Sequence, residues 1–395
     1  MPAPTLTPSQ MQAAVDALAK HVTQTNAAMS LGIPRGTLKN RLVQASVYGI
    51  VPGGGAKDPD GPKAAPYSRD VELESLRKQL RDAQAGVSMQ EWAKAIVMSA
   101  DERARSVRSA LWTREHIGSG SAAGIPTLLL SDLHWGEVVR PEEIGHVNAF
   151  DMVIARQRLQ KVVDKTCSLL RDHVVGDYPG IVVCLGGDMV SGSIHDELEQ
   201  TNDGTVMQQT LDLFEHLQTA LIRLADEFGR VHVPAVTGNH GRSNKKWAAK
   251  RRATLSYEWL MYQFLLRAFA NDERFSFDIS DGPDVDFSLF DVRYRLTHGD
   301  TFRGGDGMIG PLGPVTRGAL KRGRMAAAMG APFDCLLLGH WHTLIWGANY
   351  VVNGTLKGFD EFAMSLSITP EPPSQALWMT SEKHGRTIHL PVYAE

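Results

Sequence analysis

The sequence predicts an α/β fold in which strands and helices alternate along most of its 395 residues. From residue 127 onward, short apolar runs of strand length recur, and each ends at aspartate, asparagine or histidine. Between them lie segments with apolar residues at helical spacing, at 148–173 and 205–228. Strand–helix–strand alternation of this kind predicts an α/β sandwich with its strands covered by helices.

The composition is that of a soluble globular protein, with 43% hydrophobic and 22% charged residues and a net charge of −3. Cys167, Cys184 and Cys335 fall in a predicted helix and two predicted strands, so they read as buried apolar residues. They form no disulfide or metal-binding spacing, which fits a reducing cytoplasm. Neither a signal peptide nor a membrane span is recognisable, so we expect a cytoplasmic protein without a membrane partner.

Four regions follow from the pattern: a helical domain at 1–50, a linker at 51–68, a helical connector at 69–118, and a catalytic domain at 119–395. The linker is rich in glycine and proline. The connector has apolar stripes typical of amphipathic helices that pack on the catalytic domain or on a second copy of the chain. Residues 1–118 carry an excess of basic residues and the remainder an excess of acidic ones, which is compatible with a DNA tether.

The pattern N-A-A-x-x-L-G-I-P-x-x-T-L-x-x-R-L at 26–42 resembles a helix-turn-helix of bacterial and phage regulators. The resemblance implies that Gly32 makes the turn and that Arg35, Lys39 and Arg41 face DNA. The alternative is a small helical bundle for protein contacts.

The run TLLLSDLHWG, from Thr127 to Gly136, is the first predicted strand that ends in polar residues. Asp132 and His134 are two residues apart, so on an extended chain they point to the same side. An oxygen and an imidazole ligand would then face one point at the carboxyl end of a strand, where open α/β sheets build their sites. Four later runs repeat this design and end at Asp188, Asn239-His240, His298, and His340 with His342.

This order, D-x-H, G-D, G-N-H, H and G-H-x-H, resembles the calcineurin-like metallophosphoesterase superfamily over roughly 125–362. The resemblance implies two sheets packed face to face with helices outside. It also implies one metal on Asp132, His134, Asp188 and His342, and a second on Asp188, Asn239, His298 and His340. Asp188 would bridge the two ions. His240 would contact the scissile phosphate as an electrostatic or proton-donating group.

Two divalent ions suit this chemistry because a phosphodiester is an anion that repels hydroxide, and paired cations activate water and neutralise the developing charge. Mixed imidazole and carboxylate ligands favour Mn²⁺, with Fe, Zn²⁺, Mg²⁺ and Ni²⁺ as alternatives. The cofactor prediction is therefore two divalent metal ions.

The segment after Asp188 departs from the protein phosphatases of this superfamily, whose G-D-x-x-D-R-G pattern is absent here. Bacterial diesterases such as the SbcD-type exonucleases are looser at this point. His195, Asp196 and Glu197 follow, either as cleft residues or as surface polar groups. Further on, Asn353-Gly354 predicts a hairpin turn, in a segment similar to that of phage-encoded members.

Basic residues follow two of the ligands. Beyond His240 lies the run GRSNKKWAAKRR, in which Trp247 stands among Arg242, Lys245, Lys246 and Lys250. Cations beside an aromatic ring suit a nucleic-acid backbone with a stacked base. The alternative is a solvated helix with Trp247 in the core. Beyond His298, Arg303 opens a glycine-rich segment at 304–313 that is typical of a mobile loop over an extended substrate.

These features predict a metal-dependent phosphodiesterase acting on nucleic acid, namely a DNA nuclease in the cytoplasm of a bacterium or a phage-infected host. Two alternatives stay open: a phosphatase or phosphodiesterase for nucleotides or phosphoproteins, and a non-catalytic DNA-binding regulator. Besides DNA, a second copy of the chain and a helicase or ATPase are candidate partners.

Overall fold

The computed structural model describes residues 6–21, 23–47, 49–53, 110–114, 124–174, 176–302 and 310–395. The chain divides into two compact units, Met1–Ser99 and Ala100–Glu395. Most of the predicted linker and helical connector, 54–109 and 115–118, lies outside the described residues. Among the helices that are described, none has both the length and the apolar character needed to cross a lipid bilayer.

The described part of the N-terminal unit contains three helices, α1 (Pro8–His21), α2 (Gln24–Ser30) and α3 (Arg35–Val47). They pack around the fully buried side chain of Leu38, which small alanines on α1 and α2 allow to approach closely. Gly32 turns the chain between α2 and α3 with a positive φ of 63°, a conformation that glycine adopts without strain. The assignment of these helices as a helix-turn-helix and their binding of DNA stay predictions.

The second unit contains eleven strands among its described residues. They are β1 (Ile125–Leu130), β2 (Ile181–Leu185), β3 (Val231–Ala235), β4 (Phe275–Ile279), β5 (Asp284–Leu289), β6 (Val292–Thr297), β7 (Cys335–Leu338), β8 (Ile345–Trp346), β9 (Tyr350–Val352), β10 (Ser374–Ser381) and β11 (Gly385–Tyr393). The first sheet has the order β11-β10-β1-β2-β3-β4, and the second has the order β5-β6-β7-β9-β8. Strands β1 to β4 run parallel, as do β6, β7 and β9.

Six α-helices belong to the described part of this unit. They are α4 (Met152–Ser168), α5 (Asp196–Thr201), α6 (Val206–Phe228), α7 (Tyr257–Ala268), α8 (Leu312–Ala328) and α9 (Glu361–Ser365). The helices predicted at 148–173 and 205–228 are thus present as α4 and α6. Asp151 caps α4 by accepting the Ile154 N–H at 2.7 Å, and the Thr205–Gln208 capping box begins α6.

Alternate residues of the buried strands face different layers. Leu128 and Leu130 of β1 pack with α4, α6 and α7, whereas Leu129 packs with Trp378 and the second sheet. On its other face the second sheet is covered by α8. The two sheets therefore pack face to face with helices on both outer faces, and the predicted α/β sandwich is confirmed.

The three cysteines are free thiols and are buried, as their positions in the sequence predict. Cys167 lies on α4, Cys184 on β2 and Cys335 on β7. Cys184 and Cys335 belong to the core between the two sheets.

The predicted loop at 304–313 is helical at its end. Helix α8 begins at Leu312, so Gly313 and the basic residues after it lie on a helix. Arg322 on this helix is half-buried and bonds the Asp284 carboxylate at 2.6 Å. Residues 303–309, including Arg303, lie outside the described residues.

The prediction of a hairpin turn at Asn353-Gly354 is wrong. The hairpin joins β8 to β9 and turns earlier, at 347–349. Asn353 is fully buried just beyond β9, where its amide nitrogen donates to Leu129 O, to Ser131 Oγ and to Gln375 Oε1 at 2.9–3.1 Å. Its amide oxygen accepts the Ala376 N–H at 2.8 Å. One side chain thus ties the second sheet to the end of β1.

Replacing Asn353 should destabilise the second unit. We expect Asn353→Ala to lower the free energy of unfolding by about 2–4 kcal/mol, because it leaves buried backbone groups of Leu129 and Ala376 without this partner. Chemical denaturation followed by tryptophan fluorescence measures the change. The control is Asn349→Ala on the exposed turn, and equal stability of the two variants would contradict the role of Asn353.

Candidate metal centre

The seven predicted ligands lie at the carboxyl ends of parallel strands from both sheets. Asp132 and His134 follow β1, Asp188 follows β2, and Asn239 follows β3 of the first sheet. From the second sheet, His298 follows β6, while His340 and His342 follow β7. Because the sheets pack face to face, these strand ends meet at one edge of the sandwich.

Backbone bonds hold these ends in register. The N–H groups of Asp132 and His134 donate to the carbonyls of Gly187 and Asp188, each at 3.0 Å. The Gly339 N–H donates to the His298 carbonyl at 3.0 Å. These backbone hydrogen bonds therefore fix the metal-binding segments of each sheet against one another without the help of a bound metal.

The first group of converging side chains is Asp132, His134 and His342, whose ligand atoms all lie within 4.8 Å of one another. The Nε2 atoms of His134 and His342 are 3.0 Å apart, and Asp132 Oδ1 lies 3.5 Å from His342 Nε2. The other oxygen of Asp132 accepts the Ser131 hydroxyl at 2.5 Å, which orients the carboxylate.

The second group is Asp188, His298 and His340, again with ligand atoms within 4.8 Å of one another. His298 Nε2 lies 2.9 Å from Asp188 Oδ2 and 3.2 Å from Asn239 Oδ1. Its Nδ1 donates to the Gly186 carbonyl at 2.9 Å, which directs Nε2 into the group. The structure thus brings all four residues predicted for this half together.

Asp188 and His240 lie between these two groups. Together with His134 they form a third set of ligand atoms within 4.8 Å, which shows that Asp188 reaches both halves of the centre. The His240 N–H donates to Asp188 Oδ1 at 2.7 Å, and His240 Nδ1 donates to the Ser191 carbonyl at 2.9 Å. The Nε2 atom of His240 is therefore the ring atom left for a substrate.

Five of the seven predicted ligands adopt a left-handed backbone, with φ between 47° and 69°. They are Asp132, His134, Asp188, His340 and His342. Residues other than glycine and asparagine rarely adopt this backbone conformation, and each residue held in it costs about 1–3 kcal/mol of stability. The folded core of the sandwich therefore imposes this backbone and aims the side chains inward.

Glycines allow the ligand loops to approach each other. A Cβ atom on Gly238 would lie 2.1 Å from Asp188 Oδ1, and one on Gly339 would lie 2.2 Å from Asp132 Oδ2. Any larger residue at either position would displace a carboxylate of the centre.

Burial and neighbouring charges shift the pKa values of the imidazole and carboxyl groups in the centre. Burial lowers the pKa of His134 and of His340 to about 4, so both rings are neutral at pH 7. Burial also opposes the charge of His298, but the facing Asp188 carboxylate raises the pKa of His298 to about 10. Burial favours the neutral form of Asp188. Interaction with His298, and to a smaller extent with His240, nevertheless keeps the pKa of the Asp188 carboxyl well below its usual value.

This donor set fits divalent metal ions. Imidazole nitrogens that are neutral and carboxylates that are ionised are the forms that bind metals, and both converge here within one enclosed site. In the metal-free protein a proton on His298 compensates the buried charge of Asp188, a role that a cation can take over.

Glu258, a further residue at this edge, carries no recognisable signal in the sequence. It is fully buried on α7 and accepts the N–H of Met189 at 2.8 Å and that of Gly238 at 2.7 Å. It thereby clamps the segments that carry Asp188 and Asn239. Burial, together with the charge of Asp188, raises the pKa of Glu258 to about 7.

The basic run after His240 forms a closed loop, not a helix. Its ends are joined because Ser243 N donates to Leu255 O and Tyr257 N donates to Gly241 O, both at 2.8 Å. The alternative interpretation, a helix with Trp247 in the core, is wrong, since no helix spans this run and Trp247 is 52% exposed.

The basic side chains of this loop have different partners. Lys245 contacts Asp196 and lies 2.9 Å from Glu199, so acidic groups of α5 already neutralise it. Arg242 bonds the carbonyls of Asn244 and Lys245 within its own loop. Lys246 and Lys250 are exposed and, within the described part of the chain, form no ion pair.

The other predicted contacts lie elsewhere. His195 is exposed beside His240, with the ring centroids 6.0 Å apart. In the N-terminal unit, Arg35 and Lys39 are exposed on α3 and Arg41 is half-buried. These positions are compatible with contacts to a substrate or to DNA, which stay predictions.

Substituting Gly238 should damage the centre without loss of the fold. We expect Gly238→Ala to weaken metal binding by on the order of 10-fold or more, equivalent to about 1.4 kcal/mol, because its methyl group displaces Asp188. Metal content after dialysis against limiting Mn²⁺ is the measurement. Gly323→Ala, where the added Cβ meets open space, is the control. Retention of full metal content would show that Asp188 is not needed at its present position.

Metal binding should release a proton from His298. With its pKa raised to about 10, His298 is protonated at neutral pH when metal is absent, so the apparent affinity should rise by up to about 10-fold per pH unit above neutrality. The stability that this raised pKa gives the metal-free protein is complete below pH 6.5 and is lost as the pH rises toward about 10. Titration calorimetry in buffers of different ionisation heat counts the protons. An affinity that does not change with pH would exclude this coupling.

Comparison with known proteins gives limited similarity. No protein-family model and no curated protein matches the chain. Among solved structures, Vps29 from Entamoeba histolytica is 13% identical, with 68% of this chain and 99% of that chain covered at a TM-score of 0.27. A predicted phosphoesterase from Streptococcus pneumoniae is 12% identical, with coverage of 69% and 99% and a TM-score of 0.25.

A dimetal phosphatase from Danio rerio is 11% identical, with coverage of 69% and 99% and a TM-score of 0.33. These identities and TM-scores are low, so the fold class rests on the strand order and on the positions of the side chains in this chain. The described part of the second unit has the two-sheet α/β sandwich, with polar strand ends gathered at one edge.

Proposed function

We propose that this protein is a dinuclear metal-dependent phosphodiesterase that cleaves DNA. The observation that carries the proposal is the convergence of Asp132, His134, Asp188, Asn239, His298, His340 and His342 at one edge of the sandwich. Two groups of ligand atoms, of which the second contains a carboxylate, Asp188, that also lies within reach of His134 in the first, suit a pair of divalent ions. For these ions we favour Mn²⁺.

When bound, such ions would supply Lewis acidity, activate water and neutralise charge on the phosphoryl oxygens. The residues of the chain supply the rest. Asp188 lies between the two groups and keeps them at a fixed separation. His240, held through Nδ1 by the Ser191 carbonyl, presents Nε2 to the phosphoryl or leaving oxygen and can donate a proton there when its ring is protonated.

The surroundings of Asn239 support a nucleic-acid substrate. A depression beside the centre is lined by Asn239 and Asp300 together with Arg242, Trp247 and Lys250. The exposed indole offers a face on which a base can stack, and the cations offer contacts to phosphates on either side of the scissile bond. A small phosphate monoester needs neither feature.

The test compares single- and double-stranded DNA, bis-p-nitrophenyl phosphate and p-nitrophenyl phosphate in the presence of Mn²⁺. We expect cleavage of DNA and of the small diester, and loss of both in Asp188→Asn. In Trp247→Ala we expect the ratio of DNA cleavage to small-diester hydrolysis to fall about 10-fold, since stacking contributes about 1–3 kcal/mol per base. Phe362→Ala, at another exposed aromatic residue, is the matched control.

Other outcomes would replace the proposal. Turnover of the monoester alone would favour a phosphatase for nucleotides or phosphoproteins. Tight DNA binding without turnover in Mg²⁺, Mn²⁺ or Zn²⁺ would favour a regulator. Undiminished activity of Asp188→Asn with its metal retained would contradict the bridging role of that carboxylate.

A further inference from the structure

A buried cluster of charged side chains lies directly behind His134, outside the predicted ligand set. It consists of Glu137, Lys357 and Asp360, whose exposed fractions are 7%, 4% and 3%. Lys357 Nζ lies 2.6 Å from Glu137 Oε1 and 2.5 Å from Asp360 Oδ2. Charged groups are rarely buried this far unless they are paired, and here one cation is shared by two carboxylates.

The fold fixes each member of this cluster. Glu137 is held close to His134 because its N–H donates to the His134 carbonyl at 2.9 Å. The Lys357 carbonyl accepts from Arg158 at 2.7 Å and from Asn148 at 2.8 Å. Such a cluster keeps its geometry, unlike an exposed ion pair.

Asp360 is fixed in addition as the N-cap of α9. Its Oδ1 accepts the Ala363 N–H at 2.7 Å, which leaves Oδ2 for Lys357. The cation is therefore held from two sides, by a helix cap and by Glu137.

Glu137 has one oxygen that Lys357 does not use. This Oε2 atom lies 3.1 Å from His134 Nδ1. Within the described residues, neither atom has a hydrogen-bond partner, so the two lie close together without the geometry of a hydrogen bond. Nδ1 of His134 therefore faces the anionic carboxylate of Glu137. On the other side of the ring, Nε2 of His134 lies 3.0 Å from Nε2 of His342.

We propose that Glu137, anchored by Lys357, is a positioning residue that orients His134 and increases its strength as a metal ligand. This inference rests on the proposed function, because it assigns a role within the same centre. A carboxylate behind a ligating imidazole fixes the tautomer and the ring orientation and raises ligand basicity. Lys357 keeps Glu137 ionised and in place, so that its carboxylate can accept a hydrogen bond from Nδ1–H of His134.

The second group has a different outer partner. Nδ1–H of His298 donates a hydrogen bond to the neutral carbonyl of Gly186 at 2.9 Å, and not to a carboxylate. The group containing His134 therefore has an anionic support that His298 lacks. Removing the Glu137 charge should weaken one metal site and leave the other nearly unchanged, an effect that a general loss of stability would not produce.

The test titrates Mn²⁺ into chelator-stripped protein by calorimetry, with no substrate present. We expect Glu137→Gln to raise one of two dissociation constants by about 10–100-fold and to leave the other within about 2-fold. Absorption spectra recorded during a titration with Co²⁺ provide a second readout. The spectrum of one of the two successive binding steps should differ from that of the unmodified protein, and the spectrum of the other step should not. Glu142→Gln, a nearby exposed glutamate, is the matched control and should titrate as the unmodified protein does.

Glu137→Asp keeps the test decisive if the glutamine variant does not fold. Its carboxylate is one methylene too short to reach both Lys357 and His134, so the same single site should weaken, by less than in Glu137→Gln. Two unchanged constants, or two constants that shift equally, would overturn the inference. If the unmodified protein binds metal and hydrolyses diesters while these variants titrate identically, only this inference fails. An unmodified protein that neither binds metal nor hydrolyses diesters would overturn it together with the proposed function.

Discussion

The buried carboxylate of Asp188 is the group on which the arrangement of the centre depends. It ends a strand of the first sheet, accepts the His240 N–H at 2.7 Å and meets His298 of the second sheet at 2.9 Å. An ionised carboxylate without water is costly, so positive charge must be supplied where the two sheets meet. The strained ligand backbone, the glycine at 238 and the clamp of Glu258 all serve to hold this one anion in reach of both groups.

The positions of the ligand-bearing strands and the convergence of their ligands could be predicted because their signals are local. Each strand is an apolar run that ends at its own ligand, as with Leu128–Leu130 before Asp132. Once the sheets are assembled, parallel strand ends gather at one edge without further information. Helices α4 and α6 could be predicted in the same way from apolar spacing.

The supporting residues could not be predicted because their partners are distant in the chain. Glu137 and Lys357 are 220 positions apart, and no local pattern distinguishes them from surface charges. Asn353 was interpreted as a turn because Asn-Gly is common in hairpins, yet its amide links two sheets. Lys245 is predicted from the sequence to contact nucleic acid, but Asp196 and Glu199 of helix α5 neutralise it. Contacts between residues that are distant in the chain decide which charged side chains remain available to a substrate.

The buried thiols have a consequence for metal chemistry. Burial raises the pKa of Cys167 and of Cys335 to about 11, and raises that of Cys184 well above its ordinary value. Thiolates, not thiols, are the sulfur ligands that soft ions capture. Zn²⁺ or Cd²⁺ therefore meets imidazole and carboxylate donors here without competition from sulfur while the core is packed. A sulfur-to-metal charge-transfer band in such a preparation would report an opened core and not an occupied centre.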